Sequence, residues 1–204
     1  LRKDLGFEFC NTVSEKNPLI EPSLRMSDCS LISDGAAAVV LVAEHRAAEF
    51  ARRAHFAAAV HVSDLLPLHS RDWASFVGPE KAIQAAYAQA GISVQDLNFA
   101  EVHDCFTIAE LLLYEAMGLA DKGKGFEAID SGAVYRDGTL PVNVSGGLKA
   151  KGHPVGATGV SMHVLAYRQL TGQAGEMQLA APKLGLVFNM GGAAVANYAS
   201  ILSV

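Results

Sequence analysis

Three short segments carry side chains able to move protons or to bind a developing negative charge. The first is His103-Asp104-Cys105-Phe106. The apolar run Phe99-Ala100-Glu101-Val102 reads as a strand that delivers it. Thr107 to Met117 reads as a strongly apolar helix that opens just after it and is closed by Gly118. A thiol beside a helix N-terminus feels partial positive charge, which favours the thiolate and draws its titration toward neutrality, where it can give and take protons. The same four residues also fit a buried, inert Cys105 and a hydrogen-bonded core His103.

The second segment runs from Ser145 to Gly159 and contains five glycines in fifteen residues. Glycine lets the backbone approach a ligand and adopt positive φ. Pro154 fixes the chain direction directly after His153, and a helix is expected from Gly156 to Leu170. His153 is then held on a rigid turn, where an imidazole N–H could donate to an oxyanion. An ordinary glycine-rich loop remains an alternative. The third segment is Asn189-Met190-Gly191-Gly192, whose backbone N–H groups could form an anion nest or simply a tight turn.

Other chemistries fit less well. A phosphate loop needs Gly-x-x-x-x-Gly-Lys-Ser/Thr, and no such string is present. His103, Cys105 and His153 are metal-ligand types, but no Cys-x-x-Cys or His-x-x-x-His spacing accompanies them, so no metal is expected. A serine hydrolase would want a Gly-x-Ser-x-Gly elbow, which is also missing.

The elements that must position these segments alternate in type. Val60-His61-Val62 reads as a strand, Pro79 to Ala90 as a helix closed by Gly91, and Val142-Asn143-Val144 as a short strand. Leu184 to Phe188 and Ala194 to Leu202 read as two final strands joined through Gly191-Gly192. Such alternation indicates an α/β layered domain, and ligands bind at strand ends in α/β sheets. Further upstream, Ala36-Ala37-Ala38 suits a close-packed helix, Val39-Val40-Leu41-Val42 a buried strand, and Glu44 to Arg53 a surface helix. Residues 1–27 are polar and turn-rich, with no early strand or amphipathic helix expected.

Half of the 204 residues are hydrophobic, enough for one large domain or for one domain with a fragment of another. The net charge of −5 and the scattered Lys and Arg leave no basic stripe for nucleic acid. No apolar run reaches the roughly 20 residues of a membrane span, and the opening residues show no signal-peptide core. Cys10, Cys29 and Cys105 are odd in number and widely spaced, which argues against a disulfide framework and for a reducing, cytoplasmic setting.

Taken together and in order, these segments resemble the thiolase family from about Ser27 to Val204. Gly152-His153-Pro154-x-Gly156-x-x-Gly159 matches the family's Gly-His-Pro motif, and Ser33-Asp34-Gly35-Ala36-Ala37-Ala38 matches a segment upstream of it. Most thiolases carry Asn-Glu-Ala-Phe where this chain has His103-Asp104-Cys105-Phe106, a version that looks like the sterol-carrier-protein type. The usual Cys-x-Gly near the C-terminus is correspondingly replaced by Asn189-Met190-Gly191.

The resemblance implies a thiolase-like layered α/β fold, a mixed sheet with helices on both faces. Residues 1–27 would be the tail of a loop domain, 28–57 a remnant of the N-terminal domain, and 58–204 the C-terminal domain. His103 and His153 would bind the thioester oxygen as it becomes an enolate, and Cys105 would remove or return the α-proton. The Gly191 N–H would serve a second oxyanion site. Asn189 and Phe106 would line the substrate site, Phe106 along the acyl or pantetheine channel. Lys149 and Lys151 could approach coenzyme A phosphates, or be solvated surface lysines.

The substrate implied is a coenzyme A thioester, with no covalently bound cofactor. The partner would be a second copy of the chain or an N-terminal half, because thiolases use a nucleophilic Cys-x-Ser cysteine that Cys29-Ser30-Leu31 does not reproduce. A thiolase-fold lyase performing retro-aldol cleavage would be expected to carry Tyr at the motif. A non-catalytic half-domain that binds coenzyme A or a partner is the other alternative.

Overall fold

The computed structural model describes residues 5–72 and 74–204. The chain runs α1 (Gly6–Asn11), β1 (Leu19–Glu21), β2 (Leu24–Arg25), β3 (His55–Ser63), α2 (Val77–Ala90), β4 (Phe99–Val102) and α3 (Thr107–Met117). It continues through α4 (Glu127–Asp130), α5 (Gly147–Lys151), α6 (Thr158–Leu170), β5 (Leu184–Gly191) and β6 (Ala196–Ser203).

β1 and β2 form a small antiparallel pair, and the main sheet has the order β3-β6-β5-β4. β6 is antiparallel to both neighbours, whereas β4 and β5 run parallel. Alternation along the strands sends side chains to two different layers. Ala58, Ala100, Val102, Leu186, Phe188, Ala199 and Ile201 pack with Ile83 and Ala86 of α2 and with Leu113 and Met117 of α3. Phe99, Val187 and Leu202 point the other way, onto Met162, Ala166 and Leu170 of α6. The result is the α/β architecture with helices on both faces of a mixed sheet.

Local chemistry explains the element ends that matter. Gly91 and Gly118 adopt left-handed conformations (φ +68° and +82°) and accept the C-terminal turns of α2 and α3. α2 and α3 are packed against one another, and α2 also covers β3 and β6.

Several expectations fail. Residues 36–42 form neither helix nor strand, with Val40 84% and Leu41 74% exposed. Their composition suits a core, but among the described residues no strand flanks Val39–Val42 and no layer of this chain covers them. The expected surface helix from Glu44 is a short 3₁₀ segment, Glu44–Glu49. Val142–Val144 contributes a single bridge, Ala100 to Val142, because Asn143 turns left-handed and leaves the ladder. The opening region holds α1 and the β1–β2 pair, which were not foreseen. The helix expected from Gly156 begins two residues later, at Thr158.

Candidate active site

The parallel pairing of β4 with β5 places the site. Val102 lies opposite Phe188, so the next residues along, His103 and Asn189, emerge side by side at the strands' carboxyl ends. His103 Nδ1 lies 2.7 Å from Asn189 Oδ1. The glycine-rich loop crosses the same end. Its His153 meets His103 edge-on, with ring centroids 5.0 Å apart and planes at 86°. His153 Nδ1 lies 2.7 Å from Thr158 Oγ1, at the start of α6. Both imidazoles are thus fixed through Nδ1, which leaves each Nε2 for a ligand. Burial lowers the titration of both rings below the ordinary histidine range, so each is neutral at pH 7.

Cys105 lies two residues beyond His103 and is partly buried. Its thiol behaves opposite to expectation. Burial and the neighbouring Asp104 push it up to about 11, outweighing the helix terminus that begins beyond Phe106. The resting group is therefore a thiol. Alkylation by iodoacetamide, followed peptide by peptide with mass spectrometry, should find Cys105 reacting about 100-fold more slowly at pH 8 than an ordinary thiol. Its rate should keep climbing through pH 10. A rate that levels near pH 9 would contradict the shift.

The two motif loops are laced together by residues 29–35, whose role the sequence did not reveal. Cys29 bridges Phe106, and the Ser30 N–H donates to the Cys105 carbonyl at 2.8 Å. Ile32 bridges His153, whose N–H donates to the Leu31 carbonyl at 2.8 Å. Gly35 lies against the Pro154 ring, where a Cβ would come within 2.8 Å of Cγ. Lys149 is not a free surface cation, since its ammonium donates to the Cys29 carbonyl.

Behind the imidazoles is a set of buried carboxyls. Asp104 accepts from the Leu148 and Lys149 N–H groups at 2.7 and 3.3 Å. Glu101, 2% exposed, accepts from the Ser145 hydroxyl at 2.6 Å. Glu101 and Glu110 are each raised to about 7, chiefly by burial. Of these, only Asp104 fell inside a singled-out motif. A lone acid in an otherwise apolar strand, as in Phe99-Ala100-Glu101-Val102, was the available signal for Glu101.

Gly191 closes β5 opposite Ala196 and is exposed. The turn beyond it takes Gly192, Ala193 and Ala194 through left-handed conformations. Arg71 Nη2 and Asn197 Nδ2 hold it by donating to the Ala193 and Ala194 carbonyls at 2.8 and 2.9 Å. Phe106 is 41% exposed, on the far side of Cys105 from His103 in the chain. Among the described residues, no group of three His, Cys, Asp or Glu side chains is placed to hold a metal ion. No helix among them is long and apolar enough to cross a membrane.

A family model for the thiolase C-terminal domain-like family matches residues 59–204. The chain belongs to that family. It is 39% identical over 176 residues to the acetyl-CoA acetyltransferase of Methanothermobacter thermautotrophicus, covering 85% of this chain and 46% of that protein. It is 36% identical over 175 residues to human sterol carrier protein 2, covering 82% of this chain and 32% of that protein. The solved Ltp2-ChsH2(DUF35) aldolase superposes with a TM-score of 0.80 at 22% identity, over 92% of this chain and 49% of that one, and so shares the fold. The chain therefore spans less than half the length of these curated relatives.

Proposed function

We propose that this thiolase-family chain supplies the acid/base and oxyanion-binding half of an acyl-CoA acyltransferase acting on 3-oxoacyl-CoA by thiolysis or Claisen condensation. The observation that carries the reading is the pair of orthogonal imidazoles, anchored through Nδ1 at the ends of β4 and of the glycine-rich loop. A thioester oxygen placed between the two Nε2 atoms could take a hydrogen bond from each as it becomes an enolate. That requires Nε2–H on both rings. At His153 the Thr158 hydroxyl, placed to donate to the Pro154 carbonyl at 3.1 Å, must turn its proton to Nδ1 instead. At His103 the Asn189 amide must present its NH₂ to Nδ1.

The thiol form of Cys105 is the acid that thiolysis needs. When the C2–C3 bond breaks, the electron pair is left on C2, and a thiol can protonate it there. The nucleophile that takes the acyl group is assigned to the part of the protein that corresponds to the remaining length of the curated relatives. On the same reading, residues 58–204 form the C-terminal domain and residues 28–57 belong to the N-terminal one. The Gly191 N–H would face the acyl-enzyme. An acyl-CoA is the substrate, and a second copy or an N-terminal half is the partner.

The test supplies the whole protein with a 3-oxoacyl-CoA plus coenzyme A, and separately with a 3-hydroxyacyl-CoA, and identifies products by mass spectrometry. Acyl transfer from the first substrate alone is expected. Cleavage of the second alone would assign a retro-aldol lyase instead.

A further inference from the structure

Asn143 holds φ at +51°, a conformation costing a non-glycine residue about 1 kcal/mol or more unless its surroundings compensate. It is held on three sides. Its backbone N–H donates to the Ala100 carbonyl at 2.8 Å, extending a pairing in which the Ala100 N–H donates to the Pro141 carbonyl at 3.0 Å. The left-handed turn then carries the chain out of the ladder, where Val102 N–H would lose its acceptor. Asn143 Oδ1 takes that N–H at 2.8 Å in place of main chain. Its Nδ2 donates to Glu110 Oε1, also at 2.8 Å.

One amide therefore joins the exit of β4, α3 and the start of the glycine-rich loop. The bonded N–H belongs to the residue immediately before His103. Glu110 faces Tyr114 from its own helix, Asp104 from the motif loop, Glu101 from β4 and Asn143 itself. No cation lies among these named neighbours, so the Asn143 and Tyr114 donors satisfy Glu110.

We propose that Asn143 is a positioning residue that, by clasping Val102 and Glu110, sets where His103 leaves the sheet and so how its imidazole is aimed at His153. The kinetic consequence rests on the acyltransferase reading; the geometric one does not.

Exchanging the polarity of the clasp tests it. Asn143→Asp tolerates the left-handed conformation and keeps an acceptor for Val102 N–H, but presents a second carboxyl to Glu110. Adding Glu110→Gln restores one donor and one acceptor, in reversed order. His103 imidazole resonances, followed by ¹H–¹⁵N NMR in this chain, read the geometry without turnover. The single variant should displace them, and the double variant should return them toward wild type.

In the whole protein, Asn143→Asp should lower kcat for acyl transfer by about tenfold at pH 8 with KM within about twofold, since small misplacements of a reacting group are costly. The double variant should recover kcat to within about threefold. Unmoved His103 resonances in Asn143→Asp, or a double variant no nearer to wild type than the single one, would overturn the proposal. If the wild type transfers no acyl group while the NMR exchange still succeeds, the acyltransferase reading fails and the clasp stands.

Discussion

Replacing Cys105 by alanine is expected to cut acyl-transfer turnover by about 10³-fold while leaving KM within about threefold, the size typical of losing a positioned acid/base. The backbone bond that fixes this residue, from Ser30 N–H to the Cys105 carbonyl, survives the change. Losing one sulfur from a half-buried site costs about 1 kcal/mol, too little to unfold a domain of this size. Cys105→Ser should fall nearly as far, because a hydroxyl is a far weaker acid than a thiol raised to about 11. The measurement is steady-state thiolysis by the whole protein, with the circular dichroism of each variant as a folding check. A turnover within threefold of wild type would remove Cys105 from the reaction.

Much of the fold was legible because its signals are local. Gly91 closes α2, although the helix starts at Val77, two residues before the expected Pro79; Gly118 closes α3, and the apolar runs at 99–102, 184–188 and 194–202 fall on β4, β5 and β6. The same reasoning failed at Val39–Val42. Periodicity reports what a segment would prefer to bury, not whether a neighbouring strand is there to pair with it. Asn143 failed for a different reason: a left-handed residue in a Val-Asn-Val run leaves no mark in hydrophobic pattern, since Asn is among the few non-glycine residues that tolerate it.

At the site, residue types and strand-end placement brought out His103, Cys105, His153 and Asn189. The meeting of His103 with Asn189, 86 residues apart, follows only from the parallel register of β4 and β5. The charge state of Cys105 could not be read from the sequence. Helix polarity argues for a thiolate, while the stronger contributions, burial and the adjoining Asp104, depend on packing. The lacing by residues 29–35 was hidden as well, because it consists mainly of backbone bonds, which any side chain can make.

Gly147→Ala should be strongly damaging to stability, and its cause is the contact between the two motif loops. Gly147 holds φ at +61°, and a Cβ there would lie 2.6 Å from the Asp104 Cγ. Asp104 is 2% exposed and accepts the Leu148 N–H at 2.7 Å, so it cannot swing into solvent without losing that bond. The left-handed backbone costs alanine about 1 kcal/mol, the overlap about 1–3, and a weakened buried hydrogen bond about 1–2 more. A total of about 4 kcal/mol corresponds to a fall in Tm of about 10 °C for a domain of this length. Gly91→Ala is the matched control, with φ at +68° but no atom within 4 Å of the added Cβ. It should bear only the backbone cost, a fall of about 3 °C. Scanning calorimetry of both variants separates crowding from conformation. Equal shifts would mean that Asp104 yields freely, and that the seam between the His103 and His153 loops is looser than its hydrogen bonds imply.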